Sequence, residues 1–422
     1  MRWISILILI ISAAIYPAAT AAALPKEVPE ETVSSTPAHM SGALSDRNSL
    51  SADTTTSITE NLADKPSRPT RKLNLIEKVI NYLDNANKPK PEKRFDFTIV
   101  GGPSYNEATS FQLAIMGAAL YHSRMDSLTP VSNASLFVQG SLTGFYRVGL
   151  SGDHYGPEDR YRIHYCADFA HFPLKFWGIG YETESQDANE TKYTELRSAL
   201  WCDFQWRLAP NLYLGPSINF QYAKATKVTR PELWNGQDLR IFDYGLGLGF
   251  IFSFDTRDIS TNASSGINLN FKQYFYPGFL KNRYAFSSSE LTFGIYRQAW
   301  KSGVIAAQLH GMATYGDTPW SMLPTVDESK GIRGYFEGRY RDKNEADMVV
   351  EIRQHIWKRF GAVVWGGVGT VFHHFSDIRL NTLLPSYGIG VRWEFKKKVN
   401  VRVDYGFGKR SSAISLGLYE TF

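Results

Sequence analysis

The segment VNVRVDYGFG sets Val399, Val401, Val403, Tyr405 and Phe407 on one face and Asn400, Arg402, Asp404 and Gly406 on the other. Strict alternation has the period of a strand, and an apolar face backed by a polar one suits a sheet with lipid outside and water inside. The segment before it repeats the pattern, with Tyr387, Ile389, Val391, Trp393 and Phe395 outward and Gly388, Gly390, Arg392, Glu394 and Lys396 inward. KKKVN between them fits a tight hairpin. In GLGLGFIFSFDTRD, Leu246, Leu248, Phe250, Phe252 and Phe254 alternate with Gly247, Gly249, Ile251 and Ser253, which leaves Asp255 and Arg257 on the inner face. Inward glycines in such number predict close packing of something inside.

Carried along the chain from Phe95, this reading predicts strands at 95–103, 108–122, 136–150, 158–170, 173–186, 192–209, 211–226 and 243–257. The second half adds 264–276, 286–299, 302–316, 346–358, 360–372, 382–396, 398–409 and 412–422. The total is sixteen, an even number, as single-chain bacterial barrels have. The fold class expected is an all-β membrane protein, an antiparallel transmembrane β-barrel over 95–422. FDFTIVGGPSY ends the first strand at Gly101, Gly102 and Pro103 and permits short pairing with the last, and proline removes a ladder donor. In the closing SAISLGLYETF, Ile414, Leu416, Leu418 and Phe422 share a face, a pattern that resembles the signal by which outer-membrane barrels are recognised for insertion. Glu420 takes the outward position where an aromatic is usual.

Before the strands the pattern changes. RKLNLIEKVINYLDNAN places Leu73, Ile76, Val79, Ile80 and Leu83 at helical spacing until KPKPEK stops it, so a short amphipathic helix with its linker is expected at 71–94. Residues 24–70 are poor in aromatics and rich in Ser, Thr, Pro, Asp and Glu, the composition of a disordered linker. At 1–23, Arg2, the apolar run Ile4 to Ile11 and the small-residue tract at Ala18 to Ala23 form the three-part pattern of a secretory signal peptide.

Composition supports a barrel. No later run reaches the roughly 20 consecutive apolar residues of a transmembrane helix, whereas aromatics make up 14% of the chain and glycines number 34. Cys166 and Cys202, the two cysteines, fall on strands that are not neighbours in this reading and are expected as free thiols; none is placed to carry a lipid anchor after the signal. The net charge of +5 is scattered, which gives nucleic acid no basic face to bind.

One run departs from the strand pattern. GIRGYFEGRYRDKNEAD, Gly331 to Asp347, sets Arg333, Arg339, Arg341 and Lys343 against Glu337, Asp342, Glu345 and Asp347. A charge run is usually a solvated loop, but Gly331, Gly334 and Gly338 punctuate it as a compact hairpin needs.

Within it, IRGYFEGRYRDKN resembles the RGY or RGF hallmark loop of the BamA/TamA family of outer-membrane assembly and translocation proteins, also called the bacterial surface antigen family, and follows the eleventh strand as in that family. DTRDISTNASSGINL resembles the family's DTRD motif and the glycine that opens the next strand, and VVEIRQHIWKRFGAVVWGGVGTVF the paired strands after the hallmark loop. These motifs cover the C-terminal two fifths of the chain; the first half matches in general pattern.

The resemblance implies that the extracellular loop folds back into the lumen and pins its arginine against acids on the inner wall. The arginine falls at Arg333, followed by Gly334 and Tyr335; the acid on the next strand falls at Glu351, inward with Arg353 and His355. The second acid of the family pattern falls at Gly367, so Asp255 or Asp404 is the candidate replacement, with Arg257 and Arg353 as further lumen partners. Residues 24–94 lack the composition of the small α/β periplasmic domains usual in the family, so a barrel-only member is expected.

The implied function is assembly or export of envelope components through a weak seam between the first and last strands, in the bacterial outer membrane. The alternative is a passive channel or small-molecule transporter, with inward Arg353, Arg392, Lys396 and Arg402 favouring anions or pairing with an inserted loop. An enzyme is not expected: no Ser, His and acid spacing marks a triad, and His373 and His374 lack a third metal ligand at recognisable spacing. No cofactor or metal site is marked. The partners expected are outer-membrane lipid, the barrel assembly machinery during the chain's own insertion, and an unidentified periplasmic or envelope protein.

Overall fold

The structure is a computed structural model and describes residues 94–106, 110–124, 129–235, 242–326, 328, 331–396 and 399–422. The signal at 1–23, the linker at 24–70 and, apart from Arg94, the helix and linker at 71–94 lie outside the described residues. From Phe95 the chain is one antiparallel meander of sixteen strands in sequence order. The strands are β1 (Phe95–Asn106), β2 (Ser110–Tyr121), β3 (Ser132–Ser141), β4 (Tyr146–Tyr155), β5 (Tyr161–Phe176), β6 (Thr191–Ala209), β7 (Leu212–Thr226) and β8 (Phe242–Asp255). They continue as β9 (Gly266–Tyr276), β10 (Phe286–Trp300), β11 (Gly303–Gly316), β12 (Asn344–Trp357), β13 (Phe360–Phe372), β14 (Leu384–Lys396), β15 (Val399–Gly408) and β16 (Ser411–Leu418).

Alternation sorts the two faces as the sequence predicts. Tyr387, Ile389 and Val391 of β14 are exposed on the outer surface, with Leu248 and Phe250 of β8, while Asp404 of β15 and Glu351 of β12 are fully buried inside. No helix among the described residues is long and apolar enough to cross a membrane. The apolar outer belt is that of a transmembrane barrel, whose backbone polar groups are satisfied between strands. Connections at one end are short, as at 210–211, 301–302 and 358–359, and those at the other include 177–190 and 317–343. That asymmetry puts the long loops on the extracellular side.

Two strand expectations need correction, and their errors cancel in the total. The segment 136–150 spans two strands, β3 and β4, joined by a turn in which Gly144 takes φ +84° and Ser141 Oγ accepts the Phe145 N–H at 3.2 Å. Leu142 and Tyr146 continue the even-numbered apolar rhythm of Leu136 and Val138 through that turn and conceal it. The strand expected at 173–186 does not exist: β5 runs to Phe176, after which Gly178 and Gly180, both at positive φ, turn the chain into the short helix α1 (Tyr181–Glu184).

Cys166 and Cys202 therefore sit on adjacent strands. Tyr165, not Cys166, lies opposite Cys202, so the thiols point to opposite faces of the sheet and stay free.

The edges also differ from expectation. β1 does not stop at Pro103 but continues to Asn106, paired throughout with β2. Proline is tolerated because β1 is an edge strand, with no ladder bond needed on its other side. Among the described residues no ladder joins β1 to β16.

The lumen is filled by the connection between β11 and β12. Trp320 packs with Phe176, Tyr193, Trp234, Ala223 and Ala225, and Val326, Ile332, Tyr335 and Tyr340 pack against Val371 and Leu384 of the wall. The inward glycines of β8 make the room: a Cβ on Gly245 would lie 2.8 Å from the Met322 sulfur, and one on Gly247 would lie 2.6 Å from the Tyr276 ring.

Candidate functional site

The stem of the inserted loop is a small antiparallel bridge, Thr325 to Arg341, and its tip carries Arg333 to the middle of the wall formed by β12 to β15. The main chain at Arg333 is held by one side chain: Ser386 Oγ accepts its N–H at 3.0 Å and donates to its carbonyl at 2.7 Å. Gly334 adopts φ +97° and lies against the β15 backbone, where a Cβ would sit 2.7 Å from the Phe407 carbonyl carbon. The Tyr335 hydroxyl donates to the Pro385 carbonyl at 2.6 Å and accepts the Lys409 N–H at 2.8 Å. Ser411 Oγ donates to the Gly334 carbonyl at 2.7 Å.

The Arg333 side chain is 1% exposed. Its guanidinium donates to Glu351 of β12 and, at 2.9 Å, to Asp404 of β15, and its carbon lies 3.6 Å from the ring centroid of Trp365. A planar fork that bridges two carboxylates and stacks on an indole is a use of arginine that lysine cannot reproduce. Of the two candidate replacements for the acid missing at Gly367, Asp404 fills the role. Asp255 instead holds Arg257 through two bonds of 2.9 and 3.0 Å, and Arg162 lies 3.7 Å away.

The pair sits in a balanced network. Arg353 donates to Glu351 at 2.9 Å, Arg392 reaches Asp404 and, at 2.7 Å, Glu420, and Arg402 reaches Asp404 at 3.0 Å and Glu328 at 3.1 Å. Four guanidinium groups thus face four carboxylates, and burial of each is offset by its neighbours. Arg353, Arg392 and Arg402 are ion-paired, so the anion-favouring lining considered for a channel is largely neutralised here.

Residues 419–422 were misplaced by the sequence reading. Tyr419 takes φ +66°, which ends β16, and the chain turns inward rather than continuing the outer face. Glu420 pairs with Arg392 and accepts from Asn400 Nδ2 at 2.7 Å; Thr421 Oγ1 accepts from Arg333 at 3.2 Å and from Arg402 at 3.1 Å. Phe422 packs with Tyr296, Val349, Val363 and Trp365, and its main-chain oxygen accepts from Arg353 at 2.7 Å. Phe422 thus leaves the outer face of Ile414 and becomes part of the lumen site; Leu416 lies opposite Val403 and Leu418 opposite Val401 in the β15–β16 ladder.

A second clamp lies at the extracellular mouth. Glu184, at the end of α1, accepts the Arg341 N–H on both carboxylate oxygens at 2.8 and 2.9 Å, and Arg341 stacks between Phe176 and Trp320. Burial pushes the Glu184 carboxyl well above the usual carboxylate range, against the opposing pull of Arg341. Nothing in the sequence pattern joins Glu184 to Arg341. His373 lies at the mouth with Asp342 3.4 Å away, and both it and His374 are exposed.

Below the loop, a polar cavity of about 360 Å³ is lined by Asp153, Arg162, His164, Asp203, Asp255 and Lys272 among others.

No family model and no curated protein matches the chain. Among solved structures, BamA from Haemophilus ducreyi lacking POTRA domains 1-3 is similar with a TM-score of 0.50 at 12% identity, over 78% of this chain and 70% of that one. CdiB from Acinetobacter baumannii gives 0.46 at 10% identity over 84% and 69%, and CdiB from Escherichia coli gives 0.48 at 10% over 78% and 62%. The chain has the barrel fold of the BamA structure.

Proposed function

We propose that the chain is an outer-membrane barrel that aids assembly or export of envelope components at the gap between β1 and β16. The observation that carries this reading is that, among the described residues, no strand pairs with the outer edge of β1 or of β16, in a barrel whose lumen is occupied by its own loop. An unpaired peptide group in hydrocarbon costs several kcal/mol. Two such edges favour pairing with each other or with an incoming strand, the recognition mode of an exposed sheet edge. The resemblance of the RGY loop to the BamA/TamA family, and the shared fold, support the same role.

Deletion of the gene, followed by quantification of outer-membrane proteins and lipids, tests it. Depletion of some components is expected, and an unchanged profile would overturn the assembly role. A cysteine pair placed across β1 and β16, with Cys166 and Cys202 replaced by serine, sharpens the test: complementation should fail when the pair is oxidised and return on reduction.

The cavity below the loop favours a second reading, a channel for small solutes. Planar-bilayer conductance of the purified barrel with and without residues 331–343 separates the two. A pore reading requires steady conductance with the loop in place; a plugged barrel conducts after its removal alone.

A further inference from the structure

Beside the loop, and separate from the Arg333 network, β10, β11 and β12 bring one imidazole into a nest of carboxylates. His310 is 2% exposed, Glu345 2% and Asp347 3%, and Glu290 lies on the adjacent strand. His310 Nδ1 lies 3.0 Å from Glu345 Oε2 and 3.1 Å from Asp347 Oδ2, while Nε2 on the far side of the ring lies 3.1 Å from Glu290 Oε1. With all three carboxyl groups ionised, the cluster carries an excess of negative charge even when the ring is protonated.

The buried oxygens point the same way. Both carboxylate oxygens of Glu345 and Oδ1 of Asp347 are out of solvent, and among the described residues none of them makes a hydrogen bond of good geometry. The Glu345 approach to His310 is at ion-pair distance without hydrogen-bond alignment. A fully buried carboxylate left in this state costs several kcal/mol unless it takes up a proton or a cation faces it.

We infer that His310, Glu345 and Asp347 form a binding site for a divalent transition cation of the zinc type. One ligand atom from each of the three lies within 4.8 Å of the others. Bonds of about 2.0–2.2 Å from a tetrahedral ion to nitrogen and oxygen set the ligands roughly 3.3–3.5 Å apart. The 3.0 and 3.1 Å separations need only a small outward adjustment to match. Coordination through Nδ1 places the ring proton on Nε2, where Glu290 accepts it, which is the carboxylate–histidine–metal arrangement that orients a ligating imidazole. The donor set of one imidazole and two carboxylates suits zinc better than calcium or magnesium, which favour all-oxygen shells. The ion would bring three carboxylates and a neutral ring to a net charge one unit from neutrality. It would also fasten β11 to β12 where they leave the loop: a Cβ on Gly369, opposite Asp347, would lie 3.5 Å from Ile332 of the loop.

Sequence spacing conceals such a site, because the strand register His310 opposite Asp347 makes the pair.

The test is metal content of the full chain purified in detergent, stripped with chelator and re-equilibrated with Zn²⁺ alone. About one tightly held zinc per chain is expected. His310→Ala and Glu345→Gln should abolish stoichiometric binding, Glu290→Gln should weaken it roughly 10- to 100-fold, and His373→Ala at the mouth should leave it unchanged. Absence of stoichiometric zinc in the wild type, or equal retention in the His310 and Glu345 variants, overturns the site. If those variants do not fold, Co²⁺ added to the wild-type chain decides: visible ligand-field bands of a low-symmetry nitrogen and oxygen site support it, and an aquo-ion spectrum overturns it.

Discussion

Gly334 and Gly406 meet backbone to backbone: a Cβ on Gly406 would lie 2.8 Å from the Gly334 nitrogen, and one on Gly334 would lie 2.9 Å from the Gly406 carbonyl carbon. A methyl group at either position must push the loop tip off the wall. Gly406→Ala is expected to cost about 1–3 kcal/mol through overpacking, and Gly334→Ala to cost roughly 1–2 kcal/mol more for its positive φ. The urea midpoint of the heat-modifiable gel band measures both. Gly140→Ala, where a Cβ meets nothing within 4 Å, is the control. A Gly406→Ala midpoint equal to that control would refute the close approach.

Removal of one partner from the central network leaves buried charge behind. Arg333→Ala, Glu351→Ala and Asp404→Ala should each destabilise the docked loop by about 3–5 kcal/mol. Asp404→Ala should be the more damaging acid variant, since Asp404 serves Arg333, Arg392 and Arg402 whereas Glu351 serves Arg333 and Arg353. Arg333→Lys should recover part of the loss at most. Wild-type gel migration in both alanine variants of the acids would remove the network from the account of stability.

The mouth clamp predicts a pH dependence. Glu184 has its carboxyl pushed up by burial, so the folded state holds the proton more firmly than the unfolded one. Stability from this group is therefore fully present below the ordinary glutamate value of about 4.3 and falls as pH rises through the higher folded-state value. Hydrogen exchange at the Arg341 amide, corrected for intrinsic rate, should report more frequent opening at neutral than at acid pH. Glu184→Gln should flatten the slope. Protection that is constant with pH, or rises with it, contradicts the assignment.

A label at position 422 locates the turned-in residues. With Cys166 and Cys202 replaced, a fluorophore on Phe422→Cys should be insensitive to lipid-borne quenchers, in contrast to one on Ile389→Cys, which is 63% exposed on the outer face. Comparable quenching at the two positions would place Phe422 on the lipid side.

Period two was enough to read most strands and faces, because an inner wall and a lipid face impose opposite solubilities on alternate residues. Arg392, Arg402 and Asp404 were legible as inward from that rhythm, and Arg333 with Glu351 from the family resemblance. Asp404 as the second acid was visible as a candidate, but alternation does not say which inward acid a loop reaches. The turn at Gly144 and the end of β5 were hidden for a related reason: apolar residues kept the beat while positive-φ glycines changed the direction. Glu184 and Arg341, 157 residues apart, share no pattern, and Glu420 to Phe422 were assigned by extending a ladder that Tyr419 ends.

The inward turn after β16 ties residues 419–422 to the loop. Thr421 bonds the Arg333 guanidinium, and Phe422 lies 3.7 Å from where a Cβ on Gly331 would be. Glu420 and Phe422 are also held by the wall, through Arg392, Asn400, Val349 and Val363, so residues 419–422 and the loop share one socket. The latch thus has a bolt behind it: withdrawal of the loop must also break its contacts with residues 419–422, and the slower of the two separations would limit its rate.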